Sequence, residues 1–226
     1  MPEATPRHLE VTRTARYWIL GEEVERPRQL WIVLHGYQQL ARRFLRRFEP
    51  LADGSRRVVA PEALSRFYTD QAPGRHGPGS EVGASWMTRE ERDAEIADYV
   101  RYLDRLAGVV LDTGAACEPH LTVLGFSQGV ATAARWSVLG HTRPHRLVLW
   151  GDFLPPDLDA EQAREAWAGT EVLLVRGERD GVLGDPRLAA VEEALLAAAA
   201  PGARTVRYSG GHDIDQATLS AVASIP

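Results

Sequence analysis

Three side chains in this sequence could together perform nucleophilic catalysis: Ser127, Asp180 and His212. A serine hydroxyl is a weak nucleophile at neutral pH and needs a base to take its proton as it attacks. Histidine titrates in the right range for that task, and a carboxylate must hold the imidazole in one tautomer and stabilise its charged form. Ser127 sits in Gly125-Phe126-Ser127-Gln128-Gly129, a G-x-S-x-G pentapeptide preceded by the apolar run Leu121-Thr122-Val123-Leu124 and followed by a helix-like segment. A strand that turns sharply into a helix needs glycine two residues before and two after the serine, because side chains there would meet backbone. The turn also sets the hydroxyl at a helix N-terminus, where N–H groups favour developing negative charge. The pentapeptide alone arises by chance in roughly one chain in fourteen of this composition, so its surroundings must decide.

Those surroundings alternate strand-like and helix-like runs. Short apolar segments at 16–20, 30–34, 57–60, 121–126, 147–150, 172–175 and 205–208 read as strands. Most lack polar alternation, which is the signature of a parallel sheet covered on both faces. Helical spacing predicts helices over 39–52, 88–111, 128–139, 159–168, 185–200 and 213–223. Thr88 and Glu91 have the spacing of a capping box, and Asp185-Pro186 makes an N-cap and N1 pair. The alternation defines a doubly wound α/β architecture, expected as a single domain over 1–226. Residues 63–86, rich in Gly, Pro and Ser, form the least regular stretch. Its aromatics Phe67, Tyr68 and Trp86 either line a cleft or anchor the loop on the core.

In such a sheet, ligands bind beyond the carboxyl ends of the strands. Ser127, His35-Gly36-Tyr37, Asp152, Asp180 and His212 all follow predicted strands, so the topology brings them to one rim. The order Ser127, Asp180, His212 is one of the known chain orders for such a set. Asp152, one strand earlier, competes with Asp180 for the acid role. Asp213 and Asp215 read as caps of the last helix.

These motifs together resemble the carboxylesterase/phospholipase family of α/β hydrolases, which includes acyl-protein thioesterases. The matching segments are Leu34-His-Gly-Tyr37, Gly125-Phe-Ser-Gln-Gly129, Gly177-Glu-Arg-Asp180 and Gly211-His212, in matching order from about Trp31 to the C-terminus. The resemblance implies an α/β-hydrolase fold, and only about twenty residues between Gly151 and Glu171 leave no room for a large cap domain. It implies a serine esterase with Ser127, Asp180 and His212 as the triad and the backbone N–H groups of Tyr37 and Gln128 as the oxyanion hole. His35 is then a structural residue of its turn. No metal or organic cofactor is required, and the partner is a small-molecule ester. Thioesters, lysophospholipids, acyl transfer to another acceptor and a binding protein without chemistry are the alternatives. Two departures bear on specificity: Gln38-Gln39 replaces a Gly-Asp after Tyr37, and Gly181-Val-Leu183 follows the acid where relatives carry x-x-Val-Pro.

Composition narrows the classes further. A net charge of −5 leaves no electrostatic footprint for nucleic acid. Arg42, Arg43, Arg46 and Arg47 alternate with Phe44, Leu45 and Phe48, giving either a solvated basic helix face or a patch for anionic head groups. Cys117 is the only cysteine, so no intrachain disulfide can form. Residues 1–9 lack a signal-peptide core and no run is long enough to span a membrane, so no stable membrane insertion and a cytoplasmic location are expected. Homodimers occur among relatives, and no stretch marks an interface.

Overall fold

The computed structural model describes residues 4–21, 24, 27–70, 76–112 and 118–225. Cys117 and the middle of the irregular stretch, 71–75, lie outside the described residues. Seven strands form one sheet: β1 (Tyr17–Leu20), β2 (Gln29–Leu34), β3 (Arg56–Pro61), β6 (His120–Phe126), β7 (Arg146–Trp150), β8 (Glu171–Gly177) and β9 (Arg204–Tyr208). Their order is β1-β3-β2-β6-β7-β8-β9. Only β1, on β3, is antiparallel; every other pairing is parallel.

The apolar runs are continuous because both faces of the sheet are covered. In β2, Leu30, Ile32 and Leu34 join a core shared with α2 (Arg92–Leu111) and α3 (Gln128–Leu139). Trp31 and Val33 point the other way, into a core shared with α1 (Ala41–Leu45) and α6 (Gln216–Ala223). All five are fully buried. Burial of such side chains contributes roughly 1.5–3 kcal/mol each, which fixes the strand's register against its neighbours. The segment from β7 to β8 holds one short helix, α4 (Ala160–Ala166), and no cap domain is evident among the described residues. α5 (Pro186–Ala199) crosses from β8 to β9, with Asp185 Oδ1 accepting from the N–H groups of Arg187 and Leu188.

Several expectations are corrected. The predicted 39–52 helix is one short α-turn followed by a 3-10 segment, Arg46–Leu51, with Pro50 inside it. Proline lacks the N–H that would continue the α-ladder. The Thr88–Glu91 capping box does not form. Glu91 is left-handed (φ 50°) and makes no side-chain cap bond, the helix starts at Arg92, and the Thr88 N–H is taken by Glu95. The last helix starts after Asp215, whose Oδ1 accepts from Thr218 N–H at 2.8 Å, rather than at Asp213. The stretch read as irregular contains an antiparallel hairpin, β4 (Ser65–Tyr68) with β5 (Val82–Ser85). Among the described residues, no helix is long and apolar enough to cross a membrane.

Candidate active site

The parallel registers align the carboxyl ends of the strands. Phe126 lies opposite Trp150, Trp150 opposite Val175, and Gly177 opposite Tyr208. The next residues of each strand therefore emerge along one edge, and they include Ser127, Gly151-Asp152, Asp180 and His212.

Ser127 occupies a strained elbow, with φ 52° and ψ −124°. A non-glycine residue there costs on the order of 1–3 kcal/mol and persists only when its surroundings enforce it. The enforcement is visible. Ser127 N–H donates to the Trp150 carbonyl at 2.9 Å, and Val130 N–H donates to the Ser127 carbonyl at 2.7 Å. A Cβ on Gly125 would overlap the Gly129 carbonyl, and one on Gly129 would overlap the carbonyl of Leu34. The elbow thus packs backbone on backbone against the end of β2.

Asp180 follows β8 with its carboxyl fully buried. Its Oδ2 accepts from His212 Nδ1 at 2.9 Å and its Oδ1 accepts from Val182 N–H at 3.0 Å. That pairing holds the Nδ1–H tautomer and leaves Nε2 as the free base. The His212 loop is fixed from below. Trp150 Nε1 donates to the Asp213 carbonyl at 3.0 Å, and the Tyr208 hydroxyl lies within 2.7 Å of the Gly211 carbonyl and 2.6 Å of the Asp213 carbonyl. The His212 ring lies 4.9 Å from the Phe126 ring, the residue before the serine. Gly151, next to the Trp150 carbonyl that holds Ser127, lies against the acid–imidazole pair; a Cβ there would sit 3.4 Å from both Asp180 Oδ2 and His212 Nδ1. Asp180 and His212 are therefore bonded and the serine elbow is their neighbour. No hydrogen bond links the Ser127 hydroxyl to His212 among the described residues. In unliganded sites this contact is often long and tightens when substrate binds.

Asp152 is not bonded to His212. Its Oδ1 accepts from Phe153 N–H at 2.8 Å, and burial pushes its carboxyl above the ordinary carboxylate range, with nearby His212 and Arg176 opposing. The residues beside it are held by a buried pair that sequence reasoning missed. Arg176 reaches Glu192 at 2.6 Å and 2.8 Å and also donates to the Asp152 carbonyl, while Leu154 N–H donates to Glu192. The available signal was Arg176 itself, a charge at the end of an apolar strand.

Tyr37 and Gln128, the expected oxyanion donors, directly follow Gly36 and Ser127. A Cβ on Gly36 would lie 3.1 Å from Ser127 Cβ, so the two turns are in contact. Among the described residues neither the Tyr37 nor the Gln128 N–H takes part in a turn or cap hydrogen bond. Gln39, one of the departures noted above, closes the Tyr37 turn: its Oε1 accepts from Gly36 N–H at 2.9 Å. His35 is fully buried, with Ala63 N–H donating to Nε2 at 3.1 Å and Nδ1 donating to the Gly36 carbonyl at 2.8 Å. Burial lowers its pKa to about 4, so it is neutral and built into the turn. Of the three aromatics in the irregular stretch, Trp86 is an anchor, donating to the His35 carbonyl at 2.8 Å. Phe67 stacks on the half-exposed Tyr37 and Tyr68 stacks on His76. Arg42, Arg43 and Arg46 are exposed, and Arg47 pairs with Asp213 beside His212. Among the described residues no cluster of His, Cys, Asp and Glu is arranged to hold a metal ion.

Residues 27–220 match the model of the serine hydrolase (FSH1) family, and the chain belongs to that family. No curated protein is a significant sequence match. Solved structures similar to it include esterase PE8, with a TM-score of 0.67, 20% identity and coverage of 94% of this chain and 97% of that one. Acyl-protein thioesterase 2 of Zea mays gives 0.66 at 19% identity, covering 92% and 96%. A carboxylesterase from Mesorhizobium loti gives 0.61 at 20% identity, covering 94% and 95%. At such identities the likeness is one of fold, and it is the α/β-hydrolase fold.

Proposed function

We propose that this serine hydrolase cleaves carboxylic esters through a covalent acyl-enzyme on Ser127. The observation that carries the reading is the 2.9 Å bond between His212 Nδ1 and the buried Asp180 carboxylate, set beside the strained Ser127 elbow. In the first half-reaction Ser127 Oγ attacks the ester carbonyl carbon while His212 Nε2 takes the hydroxyl proton. The carbonyl oxygen gains negative charge and is met by the N–H groups of Tyr37 and Gln128. Such donors stabilise charge that exists only in the tetrahedral intermediate, and losing one typically costs roughly 10²–10³ in rate. His212 then returns the proton to the leaving alkoxide, and the C–O bond breaks. In the second half-reaction water gives its proton to His212, attacks the acyl carbon and releases the carboxylic acid, restoring Ser127. Asp180 keeps the imidazole oriented and stabilises its cationic form throughout.

A fluorophosphonate probe tests the reading directly. Wild-type protein should label with one equivalent at Ser127, and Ser127→Ala should remain unlabelled and lose turnover of p-nitrophenyl esters. Equal labelling of both proteins would remove Ser127 from the mechanism. A parallel panel of short and long p-nitrophenyl esters, an acyl thioester and a lysophospholipid ranks the leaving groups.

A further inference from the structure

We infer that residues 83–87, on β5 and just beyond it, are a positioning element that sets both halves of the oxyanion hole at once. The inference rests on the esterase reading above. On one side this segment holds the turn that presents Tyr37. Gln38 N–H donates to the Ala84 carbonyl at 3.0 Å, and Ala84 N–H donates to the Gln39 carbonyl at 3.2 Å. Gln38 itself is left-handed (φ 63°), a conformation a non-glycine residue holds only under constraint. Gly83 supplies that constraint by close approach. A Cβ at 83 would lie 2.7 Å from Gln38 Cα and 2.8 Å from its carbonyl carbon. Any larger residue must push the turn, and with it the Tyr37 N–H, away.

On the other side the same segment holds Gln128. Its side-chain Nε2 donates to Ser85 Oγ at 3.0 Å and to the Met87 carbonyl at 2.9 Å, and its Oε1 accepts from Trp86 N–H at 3.1 Å. The backbone N–H of Gln128 is the second oxyanion donor, so its side chain acts as a strut that fixes the first residue of α3. The Trp86 indole also donates to the His35 carbonyl, tying this segment to the end of β2. Five consecutive residues therefore touch the Tyr37 turn, the Gln128 side chain and the strand beneath them. Preorganised donors stabilise a transition state only when their spacing is held by such supports.

Two variants test it, Gly83→Ala and Gln128→Met, the second retaining the backbone N–H donor. Each should lower kcat about 10- to 100-fold while KM for a p-nitrophenyl ester stays within about threefold. Affinity for a trifluoromethyl ketone, whose hemiketal oxygen occupies the hole, should fall in step with kcat/KM. Fluorophosphonate should still label Ser127 to completion, only more slowly. Should Gly83→Ala fail to fold, Gln128→Met decides alone. A folded Gln128→Met with wild-type kcat, or with its loss confined to KM, overturns the inference and leaves the esterase reading intact. A wild-type protein without Ser127-dependent turnover removes the esterase reading, and this inference with it.

Discussion

The two histidines nearest the serine elbow, His35 after β2 and His212 after β9, stand in opposite environments. His35 is sealed from solvent, and both ring nitrogens bond to backbone: an amide on one side, a carbonyl on the other. His212 commits one nitrogen to a buried carboxylate, on a side chain about one-third exposed whose ring packs on Phe126, the residue before the serine. The first ring is a neutral strut whose charging is opposed by burial. The second is a ring oriented by a buried carboxylate, the arrangement the proposed base needs. Proximity to a reactive group therefore does not make a histidine a base; the partners of its two nitrogens do.

The largest break in that comparison is His212→Ala. Removing the proposed base should lower turnover on the order of 10⁵–10⁶-fold in a protein that still folds. His35→Gln, which keeps an acceptor for the Ala63 N–H, should lose at least a hundredfold less activity, its cost falling on stability. Steady-state kinetics and thermal melts of the two variants check both halves. Comparable rate losses would erase the distinction between strut and base.

The acid gives the next largest effect. Asp180→Asn preserves shape but presents an amide to Nδ1, which favours the wrong tautomer, and turnover should fall about 10³–10⁴-fold. Asp152→Asn should cost less than tenfold, because its carboxyl already spends Oδ1 on Phe153 N–H and makes no bond to the imidazole. The reverse ranking in kcat would move the acid to Asp152.

This competition was only partly legible in the sequence. Both aspartates follow strands, and spacing alone does not say which one reaches the imidazole; the four residues from Gly177 to Asp180 make the turn that does. The elbow was legible because its demand is local: glycines where Cβ atoms would strike backbone leave a pattern in five residues. The sheet was legible because burial on both faces removes polar alternation from its strands. The β4–β5 hairpin was not. Its strands are only four residues each, Ser-Arg-Phe-Tyr and Val-Gly-Ala-Ser, the second carries Gly and Ala, which are depleted in strands, and β5 is held by contacts with Gln38, Gln39 and Gln128, distant in the chain. The false capping box failed for the same kind of reason. Thr88 and Glu91 have the right types and spacing, but Glu95, a turn further on, captures the Thr88 N–H.

The smallest effect concerns pH and sharpens the contrast from the side of stability. The His35 pKa is lowered from 6.5 to about 4 in the folded protein, with burial as the leading cause. Between those values the unfolded chain binds a proton at this residue and the native protein does not. The contribution of His35 is therefore fully present above about pH 6.5, is lost as the pH falls toward 4, and changes no further below that. A gap of this size corresponds to roughly 3 kcal/mol. Urea denaturation of wild type and His35→Gln at intervals from pH 7 to pH 4 isolates the residue, because the carboxylates that titrate in the same range are common to both proteins. The difference in unfolding free energy between the two should shrink by about 3 kcal/mol across the window. Parallel curves would mean that His35 takes up its proton as readily in the fold as in the unfolded chain, which complete burial and the Ala63 N–H donated to Nε2 do not allow.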